Sequence, residues 1–226
     1  MSASAVKTAL LFDIDGTLVD TDAEHLVAFQ RVFAPHGIAL DRALYTQKIM
    51  GFSNELIARD FLAHLAPAEQ NALFEAKEAA YRDNIGALAP LPGLVELLAF
   101  ASARGLKRAV VTNAPRANAQ MVLSALGFDA LLPIRVIGGE LARSKPDPLP
   151  YLTGLERTGG VAEYSLAFEY SRSGVRSAVA AGLAVVGITT SLDERALIEA
   201  GATIAIDDYH DSRVMDLIES KIAGGR

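Results

Sequence analysis

Ala9-Leu10-Leu11-Phe12-Asp13-Ile14-Asp15-Gly16-Thr17-Leu18-Val19-Asp20 sets an unbroken apolar run against two carboxylates two residues apart and a glycine. A short apolar run that stops at turn-forming residues has the pattern of a strand buried on both faces. Side chains two apart in extended chain point the same way, so Asp13 and Asp15 are expected to share one crevice at the strand's end. An ionised carboxylate is a competent nucleophile toward phosphorus. A second carboxyl beside it can give a proton to the leaving oxygen and later take one from water. Gly16 permits a sharp turn that aims N–H groups at an anion. A plain Asp-Gly turn with a capping threonine is the simpler reading of Asp15-Gly16-Thr17 alone, but the whole string after a buried strand favours the chemical one.

Similar short runs recur at 109–112, 134–137, 165–168, 184–188 and 203–206, with helical patterns between them at 115–126, 148–157, 174–181, 193–200 and 212–222. Pro115 and Pro148 suit a first helical turn, and Gly127 and Gly182 suit helix ends. Strands alternating with helices predict an α/β fold, a doubly wound parallel sheet of Rossmann-like kind. Between about residues 21 and 90 the alternation breaks, and helices are predicted over 24–34, 54–65 and 67–84 without a strand. Residues 1–20 and 91–226 are therefore expected to form the core, and residues 21–90 an inserted α-helical cap over the sheet's carboxyl edge, where open α/β sheets bind ligands.

The 226 residues are 51% hydrophobic, enough for a sizeable core and unlike a disordered chain. With no cysteine there is no disulfide, thiolate site or cysteine nucleophile, which agrees with a reducing, cytoplasmic home. A net charge of −6 without a basic stripe argues against nucleic acid as a partner. An anionic ligand would need a bound cation, a lysine or backbone N–H groups. Residues 1–8 contain no long apolar stretch, so neither a signal peptide nor a membrane partner is expected. The expected partner is a small phosphorylated metabolite, met by a monomer or homodimer.

Three further stretches carry chemistry. Val110-Val111-Thr112-Asn113-Ala114-Pro115 ends a strand in a hydroxyl and starts a helix, so Thr112, Asn113 and helix-start N–H groups can meet a phosphoryl oxygen; capping alone is the plainer reading. Ser144-Lys145-Pro146-Asp147-Pro148 holds Lys145 extended before proline, a compact charge for an anionic site, although most lysines are simply solvated. Leu166-Ala167-Phe168-Glu169-Tyr170-Ser171 closes another strand, with Gly174, Ala178 and Ala181-Gly182 after it.

In this order and spacing the four stretches resemble the haloacid dehalogenase-like hydrolases, specifically the phosphatase branch with an α-helical cap (phosphoglycolate phosphatase and β-phosphoglucomutase-like members). The resemblance implies that Asp13 becomes phosphorylated and Asp15 acts as acid and base. It implies that Thr112, Asn113 and Lys145 bind phosphate, and that Mg2+ rests on Asp13, Asp15 and Glu169. It also marks a departure. Relatives usually carry Glu-Asp-Ser, the aspartate binding the ion directly, and this chain has Tyr170 there. A neutral phenol is a poor donor to magnesium, so weaker metal affinity and slower turnover are expected; the plainer reading of Tyr170 is an aromatic packed at the mouth of the crevice.

In such relatives a cap loop faces the leaving group. Met50-Gly51-Phe52-Ser53-Asn54 stands at that place, with Ser53 and Asn54 as neutral hydrogen-bonding groups or an ordinary helix cap. Asn54 cannot form the imine of phosphonoacetaldehyde hydrolases and is not the arginine common in β-phosphoglucomutases, while Asp15 argues against dehalogenation. The expected activity is Mg-dependent hydrolysis of a small phosphomonoester, a sugar phosphate or phosphoglycolate-like compound, through an aspartyl phosphate. The alternatives are a weakened pseudoenzyme that binds phosphate, and a phosphomutase. Lys77, four before Tyr81 on a cap helix, can be read as reaching the substrate, but a solvated face residue is the favoured reading, and His25, His36, His64 and His210 read as surface or packing residues. Asp207-Asp208 reads as a turn.

Overall fold

The structure, a computed structural model, describes residues 7–225. Strands β1 (Ala9–Phe12), β2 (Lys107–Thr112), β3 (Ile134–Ile137), β4 (Leu166–Glu169), β5 (Ala184–Ile188) and β6 (Ile204–Ile206) form one parallel sheet in the order β3-β2-β1-β4-β5-β6. Every residue of β1 and β4 is buried, as expected of strands covered on both faces by helices. Phe12 pairs with Phe168 across these two strands, and their rings stack 4.5 Å apart. The chain runs outward from β1 through β2 and β3, then returns to lay β4 on the other side of β1. The strand order reverses there, and such reversals open a crevice beyond the carboxyl ends of the strands.

Four helices follow β1 with no strand between them: α1 (Asp22–Phe33), α2 (Arg42–Lys48), α3 (Asn54–Phe61) and α4 (Pro67–Asn84). Helix α5 (Leu94–Ala103) leads into β2. The crossovers are α6 (Arg116–Ala125), α7 (Leu149–Thr158), α8 (Arg172–Ala180) and α9 (Glu194–Ala200), and α10 (Ser212–Gly224) ends the fold.

The departures from the sequence expectation have local causes. Helix α2 was not expected; it is too short to show a period, and the Asp41 side chain starts it by accepting the Leu44 N–H at 2.7 Å. Helix α3 stops at Phe61 instead of 65 because the Gln70 amide donates to the Leu62 and Leu65 carbonyls, giving them partners without another turn. Helix α1 starts at Asp22, two residues early. Its N-cap, Thr21, donates its hydroxyl to Asp15 at 2.6 Å and caps no helix N–H. Helix α5 lies at the start of the returning core segment, 91–226, where no element is expected from the sequence.

Candidate active site

Asp13 follows β1 directly, and its N–H donates to the Phe168 carbonyl at 3.0 Å, which holds it beside the end of β4. Thr112 closes β2, Glu169 closes β4, and Lys145 lies in the loop between β3 and α7. Segment α1–α4 lies over these ends. A cavity of about 60 Å3 is lined by Asp13, Asp15, Thr112, Lys145 and Tyr170 from the core and by His25, Asn54 and Lys77 from the segment. At roughly 15 Å3 per water-sized occupant, this is room for about one phosphoryl group. A groove of about 470 Å3 opens beside it, and Asn54, Glu78 and Pro115 line both spaces.

Lys145 is fully enclosed, with Nζ 3.0 Å from Asp13 Oδ1 and 2.5 Å from Glu169 Oε1. Burial alone would lower the pKa of its ammonium, but the two carboxylates outweigh burial and hold it above the ordinary lysine value. Asp13 is raised to about 7, first by burial and then by the Glu169 charge, with Lys145 opposing. Glu169 has no capacity left. Its Oε1 accepts from Lys145 and from the Tyr151 hydroxyl at 2.7 Å, and its Oε2 accepts from the Tyr170 N–H at 3.2 Å and the Ser171 hydroxyl at 3.4 Å. Position 174 must be glycine for this carboxylate to fit, because a Cβ there would collide with it.

Asp15 lies in a second charged group that enters from the helical segment. Its Oδ1 accepts from Thr21 and stands 3.2 Å from His25 Nε2, and His25 Nδ1 is 3.1 Å from Lys77 Nζ. Lys77 also donates to both Glu78 oxygens at 3.1 Å, and Glu78 accepts from Asn54 at 3.0 Å and Asn118 at 2.7 Å. Burial would raise Asp15, but His25, Thr21 and Lys77 outweigh it and hold Asp15 at about 2. One expectation is corrected here: Lys77 is buried and lines the cavity, not solvated. His25 packs on Tyr81 at 3.9 Å, within the expected surface-or-packing reading, and it also touches the candidate acid/base. The His25–Asp15 contact has no sequence signal, because the partners come from separate elements.

The neutral candidates are mostly engaged. Thr112 Oγ1 accepts the Ala114 N–H at 2.9 Å and keeps its own proton to donate toward the cavity. The Asn113 amide is not turned to a phosphate. It donates to the Gly51 carbonyl at 3.0 Å and the Lys145 carbonyl at 3.2 Å, and accepts the Lys145 N–H at 3.2 Å, so it pins the loop before α3 to the core. Ser53 caps α3 and accepts from Ser144 at 3.0 Å. Asn54 reaches the cavity with its amide on Glu78. Asp207 and Asp208 lie away from this cavity, at the end of β6.

The donors do not fit a magnesium ion held by the protein. Glu169 is buried and saturated, and the Tyr170 hydroxyl donates to Asp22 Oδ1 at 3.2 Å. The Tyr170 ring lies against Gly16, whose φ of 63° and missing Cβ let it approach. Among the described residues no group of three or more His, Asp or Glu is placed to hold a metal. Of the expected set this leaves Asp13, one oxygen of which is on Lys145, and the Asp15 backbone carbonyl, since the Asp15 carboxylate is turned to Thr21 and His25.

The parallel sheet carries a buried Asp–Lys pair and a second aspartate at its switch point, where open α/β sheets bind ligands. A family model described as haloacid dehalogenase-like hydrolase matches residues 10–188, and the chain belongs to that family. It is 32% identical to a phosphorylated carbohydrates phosphatase of Thermotoga maritima, over 88% of this chain and 93% of that one. It is 31% identical to a phosphoglycolate phosphatase of Rhodospirillum rubrum, over 89% and 87%. The crystal structure of a hydrolase from Pseudomonas syringae superposes with a TM-score of 0.84 at 25% identity, covering 93% of this chain and 99% of that one.

Proposed function

We propose that the chain hydrolyses a small phosphomonoester through a phosphorylated Asp13, with Asp15 as acid and base and segment 21–90 as a cap. The observation that carries this reading is the meeting of Asp13, Asp15, Thr112 and Lys145 around one phosphoryl-sized cavity. An Asp13 oxygen attacks phosphorus while the bond to the leaving oxygen breaks and that oxygen takes a proton from Asp15. Water then attacks phosphorus and gives its proton to Asp15, and the bond to Asp13 breaks, which regenerates the carboxylate. Lys145 and the Thr112 hydroxyl face the charge on the transferring group. Asp15, at about 2, is ionised at neutral pH; a phosphate dianion beside it raises its proton affinity by like-charge repulsion.

The cavity holds little beyond the phosphoryl group, so the leaving group extends past Asn54 and Glu78 into the adjoining groove. Its polar lining of Asn54, Asn71, Glu75 and Glu78 suits a hydroxyl-bearing leaving group such as a sugar, in keeping with the names of the relatives. The family's phosphatases generally use Mg2+, and magnesium dependence is the part of the expectation that these donors do not support. Tyr170 also favours a second reading, a phosphate binder with little turnover. Phosphate release from an aryl phosphate and a panel of sugar phosphates, with and without EDTA, separates the two. Turnover lost by about a thousandfold or more in Asp13→Asn, with a phosphorylated Asp13 trapped in the wild type, supports the hydrolase. Undiminished turnover in Asp13→Asn ends it. Among the described residues no helix is long and apolar enough to cross a membrane.

A further inference from the structure

Tyr170 does not merely vacate a carboxylate position; it builds something there. Its ring covers Gly16, and its hydroxyl donates to Asp22, the first residue of α1. Asp22 Oδ1 also accepts the Tyr45 hydroxyl of α2 at 2.9 Å, and its Oδ2 accepts the Ser191 hydroxyl from the loop after β5. One buried carboxylate is thus met by three hydroxyls from three parts of the chain, with no cation among its hydrogen-bond donors. The next residue of that loop reinforces the arrangement, since Thr190 donates to the Gly16 carbonyl at 2.7 Å. Hydroxyl donors satisfy a buried carboxylate without adding charge. The same clasp joins α1 and α2 to the ends of β4 and β5.

We propose that this tyrosine–aspartate clasp takes the place of the divalent-cation position, so that the chain binds a phosphoryl group without a divalent ion. The inference rests on the phosphoryl reading of the cavity. The positive groups facing the cavity come from within the chain: Lys145 and Lys77 are both buried and both line it, each also paired with carboxylates, and α6 begins beside it at Arg116 after Ala114 and Pro115. Two ammonium groups and a helix N-terminus can meet a dianion. A magnesium ion, by contrast, seeks hard oxygens in near-octahedral array, and Glu169, Tyr170 and Asp22 are all committed to hydrogen bonds.

The test reads binding, not turnover. Free Mn2+ is followed by electron paramagnetic resonance as the protein is added, and inorganic phosphate binding is measured by calorimetry in EDTA and in excess Mg2+. The wild-type protein is expected to leave Mn2+ free and to bind phosphate with a Kd that changes by less than about twofold between the two conditions. Tyr170→Asp is expected to take up one Mn2+ per chain and to make phosphate affinity depend on Mg2+. Tyr170→Asn supplies a neutral oxygen at the same place and serves where the aspartate variant does not fold; weaker Mn2+ uptake is expected. Stoichiometric Mn2+ uptake by the wild type, or phosphate binding that requires Mg2+, overturns this inference and leaves the hydrolase reading standing. Absence of phosphate binding in both conditions overturns the phosphoryl reading of the cavity and this inference with it.

Discussion

Replacing Glu169 by glutamine removes a charge that, after burial, raises the pKa of Asp13, the proposed nucleophile, while keeping the side chain's shape. In the wild-type protein Asp13 sits at about 7 instead of 3.8, through burial and then the Glu169 charge. That displacement corresponds to about 4 kcal/mol against ionisation. Contacts of 3.0 Å and 2.5 Å to one Lys145 Nζ place the two carboxylate oxygens no farther apart than about 5.5 Å. At an effective dielectric constant of about 20, like charges at that separation repel by about 3 kcal/mol, worth about two pH units. Glutamine removes this repulsion, leaves burial unchanged, and turns the whole charge of Lys145 toward Asp13. The Asp13 pKa is therefore expected to fall from about 7 to about 5 or below.

The assay is kcat/KM for an aryl phosphate across pH. The substrate's own ionisation near 6 shapes both profiles equally, so the difference between the two proteins is what is read. The acid limb should move down by about two pH units in Glu169→Gln. The variant also sets its NH2 against the Tyr170 N–H, a loss of roughly 1–3 kcal/mol in stability, visible in Tm. A purely structural loss lowers Tm without moving the limb. Coincident limbs, or an upward move, would refute the electrostatic account.

Three further outcomes follow from the same contacts. The folded pKa of Asp13, about 7, exceeds its unfolded value of 3.8, so the folded state holds more protons between them and stability falls as pH rises through that window. Asp13→Asn should therefore be the more stable protein above pH 7, by up to about 4 kcal/mol in urea melts, with the gap closing toward pH 4; equal stability at pH 8 would contradict it. Phe168→Ala removes a fully buried ring stacked on Phe12 between β1 and β4 and should cost about 3–5 kcal/mol in the same melts, a small loss meaning that the switch point is loosely packed. Lys77→Met leaves Glu78 buried without its cation and should cost about 3–5 kcal/mol, most of which returns in Lys77→Met/Glu78→Gln; a double variant no better than the single would mean the pair is not coupled.

The sheet was legible because its signal is local. Buried strands such as Ala9–Phe12 must be apolar throughout, and the turn residues beyond them mark the carboxyl edge, so strands and edge could be placed from a few consecutive residues. The strand-end groups Asp13 and Thr112 followed from that placement, whereas Lys145, in the loop after β3, was marked by the family resemblance. What lay hidden comes from contacts between distant parts of the chain. Asp15 meets His25 and, through His25, Lys77, which is 62 residues further along the chain, and no spacing in the sequence records that the segment closes on the sheet. Asn113 sits where a phosphate ligand was expected, yet its amide is consumed by Gly51 and Lys145, because the loop before α3 arrives close enough to take it.

Tyr170 was legible only as a departure, and its consequence is electrostatic. Asp13 and Asp15 already share one cavity wall with Lys145, Glu169 is buried behind Lys145, and the Glu169 and Asp15 charges both raise Asp13. A further carboxylate at position 170 would add a third such charge. Without a dipositive ion it would press the Asp13 pKa higher still and leave less of the ionised nucleophile at neutral pH. A neutral phenol facing away, with its proton on Asp22, adds no charge to that wall. Burial pushes its own ionisation well up, so it stays neutral wherever Asp13 titrates. On the proposed reading, tyrosine at this position and an Asp13 ionisable near neutral pH without a cation are two aspects of one charge balance, and a carboxylate restored there is expected to need an ion that neutralises it.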